Sequence, residues 1–78
     1  MKFNERLRQL RKQSNFQQKQ IAEMLGISTI TLRQYELGTR EPSIERLLEL
    51  AVVFNVSLDN LLCLDDFKAS HGVFSDEH

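Results

Sequence analysis

Apolar residues recur at three- and four-residue spacing in short runs along this 78-residue chain, and each run ends at a residue that stops a helix. Phe3, Leu7, Leu10 and Ser14 fall on one side of a first helix predicted over 4–14, with Arg6, Arg8, Gln9 and Lys12 outside it. Asn15 ends it, because Asn tolerates the left-handed conformation better than most residues. Phe16 follows as an apolar anchor. Ile21, Ala22 and Leu25 share a face of a second helix over 18–25. Gly26 takes the positive φ of a sharp turn, and Ser28 caps a third helix over 29–37. Ile27, Leu32 and Tyr35 form its apolar side, and Gly38 closes it. Thr39 to Pro42 form a loop, the proline disfavouring helix at Glu41. Ser43 caps a fourth helix over 44–54, with a stripe of Leu47, Leu48, Ala51 and Phe54, and Ile44 and Leu50 flanking. Asn55 stops it, and Ser57 caps a short fifth helix over 58–64.

The expected architecture is therefore all-α, with five helices in one domain over 1–64. Residues 65–78, DDFKASHGVFSDEH, lose the periodicity and read as an acidic, mobile C-terminal tail. Phe67, Val73 and Phe74 leave open a second reading, in which the tail docks on the domain or on a second subunit.

Helices two and three are joined by a single glycine turn, and small Ala22 lets one cross closely over the other. That is the pattern of a DNA-reading helix-turn-helix, whose second helix enters the major groove. Length fits such a unit. A chain this short buries only roughly 60% of its unfolded surface, so short helices with local contacts, and dimerisation, are sensible solutions. The net charge of −1 argues against indiscriminate nucleic-acid binding. Its distribution is informative: residues 1–54 hold nine Lys/Arg and six Asp/Glu, whereas residues 55–78 hold one and five. A basic front and an acidic end allow a local phosphate-binding face.

One cysteine, Cys63, excludes an internal disulfide and suits a reducing cytosol. No apolar run approaches ~18 residues, and the N-terminus lacks the apolar segment of a signal peptide, so a cytoplasmic protein is expected. His71 and His78 are isolated, Cys63 has no CxxC partner, and no nucleophile–base arrangement is visible. No enzyme activity, metal or cofactor is expected.

With Leu32 at 0° and ~100° per residue, Leu32, Tyr35 and Ser28 cluster on the core side of helix three. Ile30, Arg33, Gln34 and Leu37 point away, with Thr29 at the edge. Because the N-terminal part of a recognition helix penetrates deepest, the candidate base contacts are Thr29, Ile30, Arg33 and Gln34. Arg33 can donate two hydrogen bonds to guanine, Gln34 can pair with adenine, and Thr29 and Ile30 offer methyl groups to thymine. The start of helix two favours an anion through its free N–H groups and dipole. Candidate phosphate contacts are Gln18, Ser28, Thr39 and Arg40, and then Lys19 and Arg8, each of which reads at least as well as a solvated surface charge.

The series Leu10-Arg11-Lys12, Gln18, Ile21 to Gly26, Ser28, Tyr35-Glu36, Gly38, Arg40 to Ser43, Leu47-Leu48, Val56 to Asp59 and Leu61-Leu62 resembles the Cro/CI (lambda-repressor-like, XRE) family of helix-turn-helix proteins. The resemblance implies a compact five-helix DNA-binding domain and a sequence-specific, double-stranded-DNA-binding transcriptional regulator, repressor-like and encoded by bacteria or phages. It implies a phosphate contact from the Gln18 side chain and a partly buried ion pair between Arg11 and Glu36. It also implies a homodimer formed through the C-terminal helices, here Phe54, Val56, Leu58, Leu61 and Leu62, the alternative being that these fill the monomer core, as some of them must. A two-fold dimer would read an inverted-repeat operator. The alternative is an antitoxin-like or protein-interaction module acting through a protein partner, with the C-terminal tail as a contact. Two positions depart from the family: Asn15 stands where glycine is usual, and Gln17 where Ser or Thr caps helix two.

Overall fold

Caps and stops set the element boundaries. In the computed structural model, which describes residues 1–72, the elements are α1 (Phe3–Gln13), α2 (Gln18–Leu25), α3 (Thr29–Leu37), α4 (Ile44–Phe54), α5 (Leu58–Leu61) and α6 (Leu64–Ser70). Ser28, Ser43 and Ser57 each accept a hydrogen bond from the backbone N–H three residues on, satisfying one orphan donor of the helix they open. Gly26 (φ 68°) and Gly38 (φ 79°) end α2 and α3 in the left-handed region, as do Asn15 (φ 58°) and Asn55 (φ 53°) at their stops.

Leu7, Ile21, Leu32, Leu50 and Leu61 are fully buried, and Ala22, Leu25, Tyr35 and Ala51 fill the space between them. One residue from each of α1, α2, α3, α4 and α5 therefore meets at the centre. α3 packs against α1 and α2, which fixes its inner face and leaves its outer face to solvent. α4 crosses α2 and leads into α5, which packs on α1.

Three expectations are corrected. α1 starts and ends one residue earlier than expected, at Phe3 and Gln13. In α4 the buried residues are Leu50 and Ala51, while Leu48 is half exposed. At ~100° per residue Leu50 lies nearer the mean direction of Leu47, Ala51 and Phe54 than Leu48 does. Finally, the fifth helix stops at Leu61, and a sixth runs from Leu64 through Ser70, all but its first residue inside the segment expected to lose periodicity. The break between them is Cys63, a buried thiol with φ 56°. Val73 and Phe74 lie outside the described residues, so the tail reading is met only at Phe67, on α6 and exposed.

α6 is held to α5 by packing and to the start of the chain by charge. The Met1 ammonium donates to Asp66 Oδ2 at 2.8 Å. This hydrogen bond raises the ammonium pKa above 8.0 and lowers that of the Asp66 carboxyl below 3.8. At the other end of α6 the Phe67 and His71 rings stack with centroids 3.9 Å apart.

Two predictions follow from these ends. The tether is complete between the two ordinary values. It is lost in acid, as pH falls through the depressed Asp66 pKa, and in alkali, as pH rises through the raised ammonium pKa. Backbone chemical shifts of residues 64–66, the turn of α6 away from the His71 ring that stacks on Phe67, should therefore hold a plateau from about pH 4 to pH 8. Drift of those shifts inside the plateau would contradict the tether. At α2, the Gln17 backbone N–H is already satisfied by Gln20 Oε1 at 2.8 Å, but no Gln17 side-chain atom caps the helix. Gln17→Ser should add that bond and gain ~1 kcal/mol, read as a higher urea midpoint. A lower midpoint would contradict this N-cap assignment.

Candidate nucleic-acid interface

The outer face of α3 begins as a consequence of its inner one. Leu32 and Tyr35 lock the helix to the core, so residues half a turn away are presented outward. Ile30 is 64% exposed and Leu37 63%; Arg33 is exposed, and Thr29 and Gln34 are half-buried. All four candidate base-reading residues thus have surface on this face, Thr29 at its edge.

Beneath the face lies one ion pair. Glu36 sits on α3 just off the core side, its side chain 3% exposed. Arg11 reaches it from α1 with a two-pronged contact: Nε donates to Oε2 at 2.6 Å and Nη2 to Oε1 at 3.0 Å. Arg11 Nη1 also donates to the Phe16 carbonyl at 3.1 Å, tying down the loop before α2. Gln18 Nε2 donates to Glu36 Oε1 at 3.2 Å, bringing in α2. A buried carboxylate is costly unless paired and hydrogen-bonded, and here both oxygens are occupied. α1, α2 and α3 are therefore fixed to one another through a single side chain. The sequence expectation of an Arg11–Glu36 pair agrees with this geometry.

The candidate phosphate contacts divide by what they already do. Ser28 Oγ accepts from the Thr31 N–H at 3.0 Å, so its side chain is committed to capping α3. Thr39 Oγ1 donates to the Gln34 carbonyl at 3.4 Å, at the end of α3. Lys19 and Arg40 are exposed, with no hydrogen bond or ion pair among the described residues. Of the expected dimer residues, Leu61 is fully buried and belongs to the core, which corrects its assignment. Phe54, Val56 and Leu58 are half-buried against that core, and Leu62 is 37% exposed.

One structural side chain escaped the sequence reading. Arg46 on α4 donates through Nη1 to the Leu25 carbonyl at 2.7 Å, satisfying an orphan acceptor at the C-terminus of α2, and pairs with Glu49 at 2.8 Å. No sequence signal announces this, because it depends on where α4 crosses α2. Arg8 lines a cleft with Arg11, Gln18, Arg33, Glu36 and Leu37. Its spacing of three from Arg11 places both on one face of α1, a signal that was present. Among the described residues no group of His, Cys, Asp or Glu could hold a metal ion, and no helix is long and apolar enough to cross a membrane.

The family described as Helix-turn-helix matches residues 7–61, and the chain belongs to that family, in its XRE/Cro-CI type. It is 39% identical over 75 residues to the HTH-type transcriptional regulator YqaE of Bacillus subtilis, covering 96% of this chain and 62% of that protein. It is 39% identical over 61 residues to the cryptic phage CTXphi transcriptional repressor RstR of Vibrio cholerae, covering 78% of this chain and 54% of that one. The chain thus spans only part of the length of these regulators. Among solved structures it is similar to the P22 c2 repressor in complex with a synthetic operator, with TM-score 0.75, 34% identity, and 80% and 94% of the two chains covered.

Removing Arg11 strands the Glu36 carboxylate inside the protein. Arg11→Ala should lower stability by ~3–5 kcal/mol, measured by urea unfolding. An unchanged unfolding midpoint would remove the pair from its bracing role.

Proposed function

We propose that this chain is a sequence-specific double-stranded-DNA-binding transcriptional regulator, repressor-like, acting as a cytoplasmic homodimer on an inverted repeat. The observation that carries the reading is Ile30, 64% exposed on the outer face of α3 beside Arg33 and Gln34. An apolar residue at the front of a polar recognition face has the thymine methyl as its natural complement. The resemblance to a repressor seen on its operator supports the same use of α3. Thr29, Ile30, Arg33 and Gln34 meet base edges, Arg33 from the α1 side of the face. Lys19, Gln18, Thr39, Arg40 and the start of α3 at Ser28 follow the backbone. One α3 spans only a few base pairs, so two-fold pairing sets two recognition helices about 34 Å apart on successive major grooves. Leu62, with the exposed parts of Phe54, Val56 and Leu58, supplies the dimer surface.

A second reading, a module that docks a protein, draws on α4. Ile44 (76% exposed), Leu48 (49%) and Val52 (79%) form an apolar stripe on its outer side. Selection from a randomised duplex library separates the two. The DNA reading expects an enriched inverted repeat whose affinity falls steeply with salt. On that site, Ile30→Ala and Gln34→Ala should each relax preference at one base pair by ~1–3 kcal/mol. No enrichment by a folded protein would favour the protein-docking reading.

A further inference from the structure

α4 carries an apolar face that the fold leaves open. Ile44, Leu48 and Val52 are 76%, 49% and 79% exposed. With Ile44 at 0° and ~100° per residue, Leu48 and Val52 follow at ~40° and ~80°, so the three form one line along the helix. At 1.5 Å per residue that line is ~12 Å long. Exposed apolar residues scattered singly are ordinary, but three in one line mark a contact surface. The line lies apart from the surfaces already used. The core residue Leu50 and the dimer candidate Phe54 fall at ~240° and ~280°, across the helix from it. α3, which bears the DNA-facing side chains, packs on α1 and α2, whereas α4 packs on α2 and α5.

Charge decides what covers it. Glu45 and Glu49 follow at ~100° and ~140°, along one edge of the line. At the other edge, where Leu47 and Ala51 turn inward, α4 has no charged residue. Arg46, the cation of α4, is committed to the Leu25 carbonyl and to Glu49. Glu45 is exposed and has no ion-pair partner among the described residues. A second copy matches this face poorly. Two α4 helices laid antiparallel, line to line about a two-fold axis, put both acidic edges on the same side of the contact, where like charges oppose association. We propose that the face docks a basic amphipathic helix of another protein. Apolar side chains of that helix cover Ile44, Leu48 and Val52, and its Lys or Arg residues run along the single edge that meets Glu45 and Glu49. This is a helix laid on an apolar stripe, with flanking charge selecting the partner. The inference goes beyond the DNA reading and is independent of it: α4 holds its partner while α3 occupies the groove.

The test selects from a displayed library of alanine-rich helical peptides against the full chain. Seam positions vary among Leu, Ala and Ser, and the two flanks vary among Lys, Gln and Glu. The proposal expects Leu along the seam and Lys on one flank only. The selected peptide is then titrated against the wild type, the double variant Ile44→Ser/Val52→Ser, and Glu45→Lys, all first shown to melt at the wild-type temperature. The double variant should bind it about tenfold more weakly. Glu45→Lys should also weaken it, and a peptide with Glu on that flank should regain affinity for this variant alone. The double variant should keep wild-type affinity for the selected duplex. No enriched seam, Lys enriched equally on both flanks, or a peptide indifferent to the Ile44 and Val52 changes overturns the proposal. So does loss of duplex affinity together with dimerisation in the double variant, which would make a second copy the occupant. A selected peptide that binds as expected, in a chain that enriches no duplex, leaves the docking face standing and removes the DNA reading.

Discussion

The Glu36 carboxylate is the point on which the arrangement depends. It lies almost wholly out of water, and a charge in that position is tolerable only when its partners are held in place. Those partners come from α1 and α2, and one of them, Arg11, also secures the loop that joins these two helices. The result is a rigid frame for α3 that uses neither a disulfide nor a large core. A small domain has little apolar surface to bury, and a satisfied polar network adds definition where packing alone would leave freedom. The arrangement has a corresponding weakness, since loss of any partner leaves part of the charge unmet.

The frame explains how one nine-residue helix serves two purposes. Leu32 and Tyr35 spend its inner face on the core, and Glu36 anchors its flank. What remains outward is a compact mixture of a methyl-bearing side chain, an amide and a guanidinium. Those are the chemistries that distinguish base pairs and hold phosphates. On the opposite side, Arg46 ties the end of α2 to α4, so the turn between α2 and α3 is restrained from behind as well.

Most of this was legible in the sequence because the signals are local. Glycine at 26 and 38 and serine at 28, 43 and 57 mark boundaries through backbone geometry and hydrogen bonding at the same position, and α2, α3 and α4 have the expected limits. The outer face of α3 follows from helical periodicity alone. The failures share a cause. Cys63 adopts a left-handed conformation without being glycine or asparagine, so nothing in the residue itself announces the break between α5 and α6. α6 is short and has no fully buried residue, and its tether to Met1 spans almost the whole described chain. Leu61, placed among the dimer candidates by family resemblance, is buried because of where α5 meets α1. The Arg11–Glu36 pair came from family resemblance and not from spacing, as did the Gln18 phosphate role. In each case the missing information is tertiary.

The central claim is that α3, braced by Glu36, presents its outer face to DNA. The most direct measurement is a titration of isotopically labelled protein with the selected duplex, followed residue by residue through backbone amide shifts. The account predicts the largest changes at Gln18, at residues 28–34 and at Thr39 and Arg40, with α5 and α6 little affected apart from dimer contacts. Changes centred on the exposed Ile44–Leu48–Val52 side of α4, with residues 28–34 unmoved, would contradict it.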